Sequence, residues 1–178
     1  MARPRKNHRE DLLDAAEAVL TKEGAKALSF GSIAVESGLS KASVQSVFGT
    51  RENILDALLA RWMQREQVKY EQLAGEHPDA RSRLLAHIKT TKEVNDEAGS
   101  RISTLLAAQV GSGSQSEYMK QWYQERIGDF SVDDEQARKR RIAYLAVEGA
   151  ILIRNLVGYD ISEEVWEDIF SDLEKYAK

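Results

Sequence analysis

The sequence predicts an all-α protein of about nine helices, and three observations support this prediction. Apolar residues recur at helical spacing along nearly the whole chain, and no segment shows the strict alternation of a β-strand. Ser, Thr or Gly stands at several points where the helical pattern begins or ends. Hydrophobic residues make up 42% of the 178-residue chain, which is enough for a substantial core.

Three short helices are predicted at the N-terminal end of the chain. They cover residues 9–23, 29–37 and 40–48, and glycine stops and serine N-caps mark their ends (Gly24, Ser29, Gly38 and Ser40). Short helices joined by tight turns that contain Gly are typical of a helix-turn-helix unit.

The rest of the chain is predicted to be helical as well. Thr50 caps a long helix that runs to about Ala74. Five further helices are expected at about 79–97, 101–110, 115–130, 134–157 and 162–177. We therefore divide the chain into domains at 1–50 and 51–178.

Composition narrows the class of protein. The absence of Cys excludes disulfides and thiolate metal sites. No apolar run approaches the roughly 20 residues of a membrane span, and the stretch MARPRKNHRED has no signal-peptide core. We therefore expect a cytoplasmic protein with no membrane partner.

The charge of the chain is unevenly distributed. The net charge is −4, but Arg3, Arg5 and Lys6 place three positive charges in the first six residues with no acid among them. A basic tip on an acidic body is typical of local contact with phosphate. A solvated basic tail is the alternative for this run.

The third helix has the features of a DNA-recognition helix. In a helix-turn-helix unit, the N-terminal residues of the second helix of the pair enter the major groove. Lys41 and Arg51 each lie one residue inside a helix start, where the helix dipole disfavours a cation unless phosphate pairs with it. Gln45 can contact adenine through two hydrogen bonds. The alternative is a surface helical hairpin with a Ser-rich cap.

The complete set of predicted DNA-binding residues combines the basic N terminus, the hydroxyl side chains at the helix starts and the exposed positions of the third helix. It consists of Arg3, Arg5, Lys6, Ser29, Ser40, Lys41, Ser43, Gln45, Ser46, Thr50 and Arg51.

An ordered set of motifs runs through residues 9–59 without gaps. It consists of Gly24, Ser29, Ile33-Ala34, Gly38-Leu39-Ser40, Lys41-Ala42-Ser43, Phe48 and Arg51-Glu52. This pattern resembles the DNA-binding domain of the TetR family of bacterial transcriptional repressors. The chain departs from the family at Gln45, where a Tyr is usual, and at Val47, where a second aromatic residue is usual. The resemblance implies a dimer with a small effector bound in the C-terminal domain.

The segment RIAYLAVEGAILIRNLVG (141–158) is apolar nearly all the way round, so a helix there must be covered on both sides. One side faces its own subunit, and the other most simply faces a second copy. The last helix adds a further apolar stripe. The predicted dimer residues are Leu145, Gly149, Leu152, Leu156, Val165, Ile169 and Leu173. A monomer with a thick core is the alternative.

Large side chains and isolated polar residues in the C-terminal helices are candidates for an effector site. They are Trp62, Met63, Gln109, Met119, Trp122, Tyr123, Tyr144 and Glu148. The resemblance favours a pocket, whereas large apolar residues on helices are more often core, and the polar ones could lie at a dimer seam.

The sequence therefore predicts a homodimeric, sequence-specific DNA-binding regulator, a repressor that a small-molecule effector releases from its double-stranded DNA operator. The alternative is a helical adaptor or ligand-binding protein that no longer binds DNA. We expect no enzymatic activity and no cofactor or metal, because no Glu-x-x-His pair is present and His8, His77 and His87 are scattered.

Overall fold

The computed structural model describes residues 5–94, 96–111, 116–128 and 130–177, except for the side chains of 5–7, 65, 96–98, 109 and 111. Across these ranges the chain is all-helical and contains no strand. The helices are α1 (Arg5–Glu23), α2 (Phe30–Ser37), α3 (Lys41–Phe48), α4 (Arg51–Ala74), α5 (Ala80–Lys92), α6 (Asp96–Gly111), α7 (Glu117–Ile127), α8 (Glu135–Asn155) and α9 (Glu163–Tyr176). A short 3-10 turn at Ala25–Ala27 separates α1 from α2. The predicted all-α fold of about nine helices is confirmed.

Side-chain caps begin the short N-terminal helices, as the sequence predicts. Ser29 accepts a hydrogen bond from the backbone N–H of Ser32, and Ser32 in turn accepts one from the N–H of Ser29. Ser40 accepts a hydrogen bond from Ser43 N at 3.1 Å. Gly38 ends α2 in the left-handed region, with φ 70°, which a side chain would disfavour.

Several helix boundaries differ from the predicted ones, most of all those of α1, α5 and α6. α1 begins at Arg5, so that Arg5 and Lys6 lie in a helix. α5 ends at Lys92 and α6 runs from Asp96 to Gly111, whereas the predicted helices covered 79–97 and 101–110. Gly99 lies inside α6. A Cβ at this position would stand 2.6 Å from Asn155 Nδ2, so the glycine allows the close approach of Asn155 to the helix.

The chain divides into two compact units. One consists of the described residues of Met1–Trp62 and Thr104–Ser116, and the other consists of those of Met63–Ser103 and Glu117–Lys178. The division therefore falls within α4 and within α6. The domain boundary predicted after residue 50 stays a prediction.

The first unit has a core drawn from its helices. Apolar side chains of α1, α2, α3 and the first half of α4 are buried there, among them Leu12, Leu13, Ile33, Val44, Phe48, Leu55 and Leu58. Arg51 ties this unit together from the start of α4, since its guanidinium donates to two backbone carbonyls near the 3-10 turn.

The second unit has its own core between α5, α8 and α9. The core cluster includes Leu84, Ile88, Ala143, Tyr144, Val147, Ala150, Trp166, Phe170 and Leu173. Trp166 also donates from its indole N–H to Lys92 O at 3.1 Å, which fixes α9 against the end of α5. Leu173, predicted as a dimer residue, has its side chain buried in the core of its own subunit, and its dimer role stays a prediction.

Candidate functional site

α3 has one face buried in the core of the first unit and one face exposed to solvent. Val44 and Phe48, four residues apart, face the core of the first unit. Lys41, Gln45 and Ser46 lie on the opposite side and are exposed to solvent. A short helix whose exposed face carries a cation, an amide and a hydroxyl can reach both phosphates and base edges.

The hydroxyl residues predicted to contact DNA have structural tasks in the free protein. Ser29, Ser40 and Thr50 accept hydrogen bonds from backbone N–H groups at the starts of α2, α3 and α4. The Ser43 hydroxyl lies 2.8 Å from the Ser40 hydroxyl. Ser29, Ser40 and Thr50 remain exposed, so a cap and a phosphate contact are compatible at these positions.

Arg51 has a structural role that the sequence did not indicate. Its Nε donates to Leu28 O at 2.9 Å, and its Nη2 donates to Ala25 O at 2.7 Å. These bonds hold the turn between α1 and α2 against the start of α4. The predicted phosphate contact can therefore use only the part of the guanidinium that the two carbonyls leave free.

The basic N terminus lies largely outside the described part of the chain. Arg3 is outside the described residues, and the side chains of Arg5 and Lys6 are outside them as well, although their backbone belongs to α1. The DNA contact predicted for these three residues stays a prediction.

Four of the predicted effector residues meet in the second unit. Trp122 and Tyr123 on α7 pack edge to face, with ring centroids 4.9 Å apart. Tyr123 donates from its hydroxyl to Glu148 Oε2 at 2.5 Å, and Tyr144 donates to Arg126 O at 2.8 Å. Residues from α7 and α8 thus form one connected polar cluster.

His87 and Arg126 complete this cluster. His87 is 1% exposed, and its Nε2 lies 2.9 Å from Glu148 Oε1. The guanidinium carbon of Arg126 lies 3.9 Å from the ring centroid of Tyr70 and 3.8 Å from that of Trp122. Arg126 Nη2 also donates to Gln67 Oε1 at 2.9 Å. We call the eight residues Gln67, Tyr70, His87, Trp122, Tyr123, Arg126, Tyr144 and Glu148 the buried polar cluster.

Burial and pairing compete in setting the ionisation of this cluster. Burial alone would raise the pKa of Glu148, but hydrogen bonds from His87 and Tyr123 and the nearby charge of Arg126 lower that pKa below its ordinary value. Burial raises the pKa of Tyr123, and the Glu148 carboxylate raises it further. Burial lowers the pKa of Arg126 to about 10, so the guanidinium is charged at neutral pH. The cluster therefore holds a carboxylate and a guanidinium together.

Apart from His87 Nε2, which lies 2.9 Å from Glu148 Oε1, three buried atoms of the cluster have no hydrogen-bond partner among the described residues. They are Tyr70 Oη, Trp122 Nε1 and Arg126 Nε. Because leaving a buried polar group unpaired costs about 1–3 kcal/mol, such atoms are candidates for contact with a ligand or with water.

The other four predicted effector residues are not part of the buried polar cluster. Met63 and Met119 are buried apolar side chains of the second unit, whereas Trp62 belongs to the first unit. The side chain of Gln109 lies outside the described residues. The effector role of all eight predicted residues stays a prediction.

Sequence reasoning missed Gln67, Tyr70, His87 and Arg126. His87 stands in the apolar run LLAHI, and Arg126 follows Trp122 by four residues on α7. Both positions were visible as polar residues on a helix face that also carries apolar ones. Their partners Glu148 and Gln67 lie far away in the chain, so only the tertiary fold reveals the pairing.

A second surface feature is an apolar stripe on α8 and α9 that its own subunit leaves uncovered. Ile142, Leu145, Leu152, Ile153 and Leu156 are each at least 42% exposed, and their spacing places them on one side of α8. Gly149 lies on the same side, with nothing within 4 Å of a Cβ built there. Val165 on α9 is also exposed, whereas Ile169 packs partly against the core.

Comparison with protein families gives two matches that together cover most of the chain. The model described as "Bacterial regulatory proteins, tetR family" matches residues 12–58. The model described as "Tetracyclin repressor-like, C-terminal domain" matches residues 81–178, more than half of the chain. The chain therefore belongs to the TetR family, as its N-terminal motifs indicate. A comparison with curated proteins gives no match.

Several solved structures share this fold. A transcriptional regulator from Rhodococcus sp. Rha1 is 16% identical with a TM-score of 0.66, and 94% of each chain is covered. The multidrug binding protein EbrR complexed with imidazole is also 16% identical with a TM-score of 0.66, and 93% of each chain is covered. A TetR-family regulator from Streptomyces coelicolor A3 is 16% identical with a TM-score of 0.59, covering 99% of this chain and 98% of its own. At such identities the likeness shows the fold.

Two further features are absent from the described residues. No helix within them is long and apolar enough to cross a membrane. No group of three His, Asp or Glu side chains in the same ranges could hold a metal ion.

Proposed function

We propose that this chain is a homodimeric, sequence-specific DNA-binding repressor that a small-molecule effector releases from its operator. The observation that carries the proposal is the free face of α3, where Lys41, Gln45 and Ser46 are exposed while Val44 and Phe48 anchor the helix. Membership in the TetR family supports the same function. In this proposal Lys41 binds phosphate and Gln45 reads a base edge.

The homodimer is supported by the uncovered stripe on α8. A row of large apolar side chains on one helix face is typical of an interface. We assign Leu145, Gly149, Leu152, Leu156 and Val165 to it, and Ile169 to its edge. A dimer also places two recognition helices on one operator. Because a single helix-turn-helix unit buries little surface against DNA, the second unit raises the affinity strongly.

The effector site is assigned to the buried polar cluster. Its unpartnered atoms on Tyr70, Trp122 and Arg126 supply hydrogen-bond donors within an aromatic environment. A site with a few polar groups among aromatic side chains is typical of small-molecule binding. The name of EbrR describes a relative in fold as a multidrug binding protein, and this too supports a small-molecule effector.

The DNA-binding role is tested by a gel-shift titration with the DNA upstream of the protein's own gene, repeated at several salt concentrations. Lys41→Ala should weaken binding about equally for all sequences and reduce the salt slope by roughly 1, because one phosphate contact is lost. The matched control is Lys120→Ala, which removes an exposed cation from α7 in the second unit. It should leave both affinity and slope unchanged.

Base reading is tested separately with Gln45→Ala. This variant should relax the preference at one or two base pairs, at a cost of about 1–3 kcal/mol for those positions. Selection from a randomised operator library measures the change. A uniform loss at every position would show that Gln45 contacts the backbone. Failure of the wild-type protein to bind any upstream DNA would favour the adaptor function instead.

A further inference from the structure

A cleft in the second unit is lined by four arginines. Its volume is about 110 Å³, and its walls are the start of α5, the end of α7 with the segment that follows, and α8. The charged lining residues are Arg83, Arg126, Arg140 and Arg141, and Ile127, Phe130 and Tyr144 add apolar surface. No Asp or Glu is among the described residues that line it. The described lining therefore carries four positive charges and no negative one.

The donors of these arginines are only partly used by the protein itself. Arg141 Nη1 donates to Phe130 O at 3.0 Å, and Arg83 Nη1 makes a long contact of 3.4 Å with Pro78 O. Arg126, which is 3% exposed, has an unpartnered Nε. Because each guanidinium has five N–H donors, the cleft holds more donors than these acceptors can satisfy.

Acidic residues next to the cleft are occupied elsewhere. Asp79 and Asp134 begin the two helices that supply three of the arginines. Asp79 Oδ1 accepts from Ser82 N at 2.7 Å, and Asp134 Oδ1 accepts from Ala137 N at 2.6 Å. Both carboxylates thus act as N-caps, and neither is paired with one of the four arginines of the cleft.

We propose that this cleft binds the oxyanion head group, a carboxylate or a phosphate, of the small-molecule effector. The inference rests on the proposed effector function and deepens it by naming the ligand class. Guanidinium groups bind planar or tetrahedral oxyanions through paired hydrogen bonds. Arg126 and Tyr144 line the cleft and also belong to the buried polar cluster, so an anion bound here directly contacts residues of that cluster.

The size of the cleft decides what part of the ligand it holds. Sites that enclose a drug-sized molecule measure roughly 300–1,000 Å³, whereas this cleft measures about 110 Å³. It therefore takes only a head group, and an apolar remainder would lie against Phe130, which is 47% exposed. A cationic dye such as ethidium, held by EbrR in a structure of that protein, should not bind between four arginines.

The proposal is tested by calorimetric titration of the full chain with inorganic phosphate and, separately, with benzoate, at constant ionic strength set by sodium chloride. At least one anion should bind saturably. Arg140→Gln should weaken that binding at least about tenfold, since a charge-assisted contact is lost. Arg138→Gln removes the same charge from an exposed position of α8 outside the cleft and should bind like the wild-type protein. Binding of only one anion identifies the head group.

Two results would overturn the proposal. One is the absence of saturable binding for both anions, and the other is an equal loss of binding in Arg138→Gln and Arg140→Gln. A gel shift without added anion keeps the two proposals separate. DNA binding without anion binding contradicts this inference alone, whereas anion binding without DNA binding supports the cleft and contradicts the proposed repressor function.

Discussion

Glu148 is a carboxylate that its neighbours hold in the charged form. His87 and Tyr123 both contact it, and its pKa lies below the ordinary value despite burial. A carboxylate with a lowered pKa in the folded state stabilises the protein above the pKa of the unfolded chain. This contribution is lost as the pH falls through the folded pKa.

Glu148→Gln should therefore lower the free energy of unfolding by about 1–3 kcal/mol at neutral pH, since Tyr123 and His87 lose a charged acceptor. The difference from the wild-type protein should shrink as the pH falls below the ordinary pKa of a glutamate, because the unfolded chain then takes up a proton that folded Glu148, with its lowered pKa, does not yet bind. Urea unfolding at a series of pH values measures it. Glu117→Gln, which removes an exposed carboxylate beside Lys120, is the control. A difference that does not depend on pH would contradict the ionised state.

Arg51 gives a second prediction for a single residue. Arg51→Ala should lower the free energy of unfolding by about 2 kcal/mol, because two bonds from a charged donor to Leu28 O and Ala25 O are lost. Arg51→Lys keeps the charge but loses the planar guanidinium that donates to both carbonyls. Its free energy of unfolding should therefore lie between those of the wild-type protein and Arg51→Ala. Lys41→Ala, at an exposed position, should change stability by less than about 0.5 kcal/mol.

The salt dependence of DNA binding separates the two roles of Arg51. Its slope should fall less in Arg51→Ala than in Lys41→Ala, because two of the five N–H donors of the guanidinium are used inside the protein and hold the group there. A variant with unchanged thermal stability and a slope reduced by about 1 would show that phosphate binding is the main task of Arg51. The sequence predicted the cation at this helix start, but its carbonyl partners lie 23 and 26 residues away and appear only in the folded chain.

At the scale of the helices, local signals decided which boundaries could be predicted. Ser29, Gly38 and Ser40 act through backbone groups within a few residues of themselves, and the predicted limits of α2 and α3 are confirmed. The end of α5 at Lys92 has no Gly or Pro to mark it, so the helix was predicted too long. Gly99 lies inside α6 and allows close approach to Asn155, and such tertiary use of a glycine has no local signature.

Gly99→Ala should destabilise the protein, even though Ala favours a helix over Gly by about 1 kcal/mol. The new Cβ would lie within 2.8 Å of three atoms of the Asn155 amide group, so that side chain must move away and strain or lose its contact with Ile151 O. The expected net cost is about 1–2 kcal/mol by thermal or urea unfolding.

The double variant Gly99→Ala/Asn155→Ala provides the control for this prediction. Removing the amide creates room for the Cβ, so the double variant should be more stable than the sum of the two single changes predicts. Strictly additive effects would show that Gly99 and Asn155 do not meet as the structure places them. Gly149→Ala on α8, where a Cβ meets nothing within 4 Å in the subunit, should leave the isolated subunit no less stable.

At the scale of the whole molecule, α8 shows both the strength and the limit of the sequence pattern. The pattern indicated that both faces of this helix are covered, but it did not decide which residues belong to which face. The all-round apolar character of α8 predicted both a core side and a second interface. The structure assigns Ala143, Tyr144 and Val147 to the core and leaves Leu145 and Leu152 exposed. On α9 the same reasoning expected Leu173 at the interface, whereas its side chain packs in the core cluster with Trp166 and Phe170.

The last prediction uses this division to test the dimer. Leu145→Glu/Leu152→Glu should produce a folded monomer, since two carboxylates per subunit would be buried without partners at the interface. Sedimentation measures the mass, and circular dichroism verifies that the helices remain. The monomer should also lose most of its affinity for an operator with two half-sites, because the second recognition helix is no longer linked to the first.

Two matched variants distinguish an interface from a core. Val110→Glu places the same charge on an exposed apolar position of α6 and should remain dimeric. Leu173→Ala should lower the free energy of unfolding by about 2–5 kcal/mol, the cost of deleting a buried leucine, without a change of mass in the protein that remains folded. If Leu145→Glu/Leu152→Glu stays dimeric at micromolar concentration while Leu173→Ala dissociates, the interface lies on the other side of α9 and the exposed stripe of α8 has a different partner.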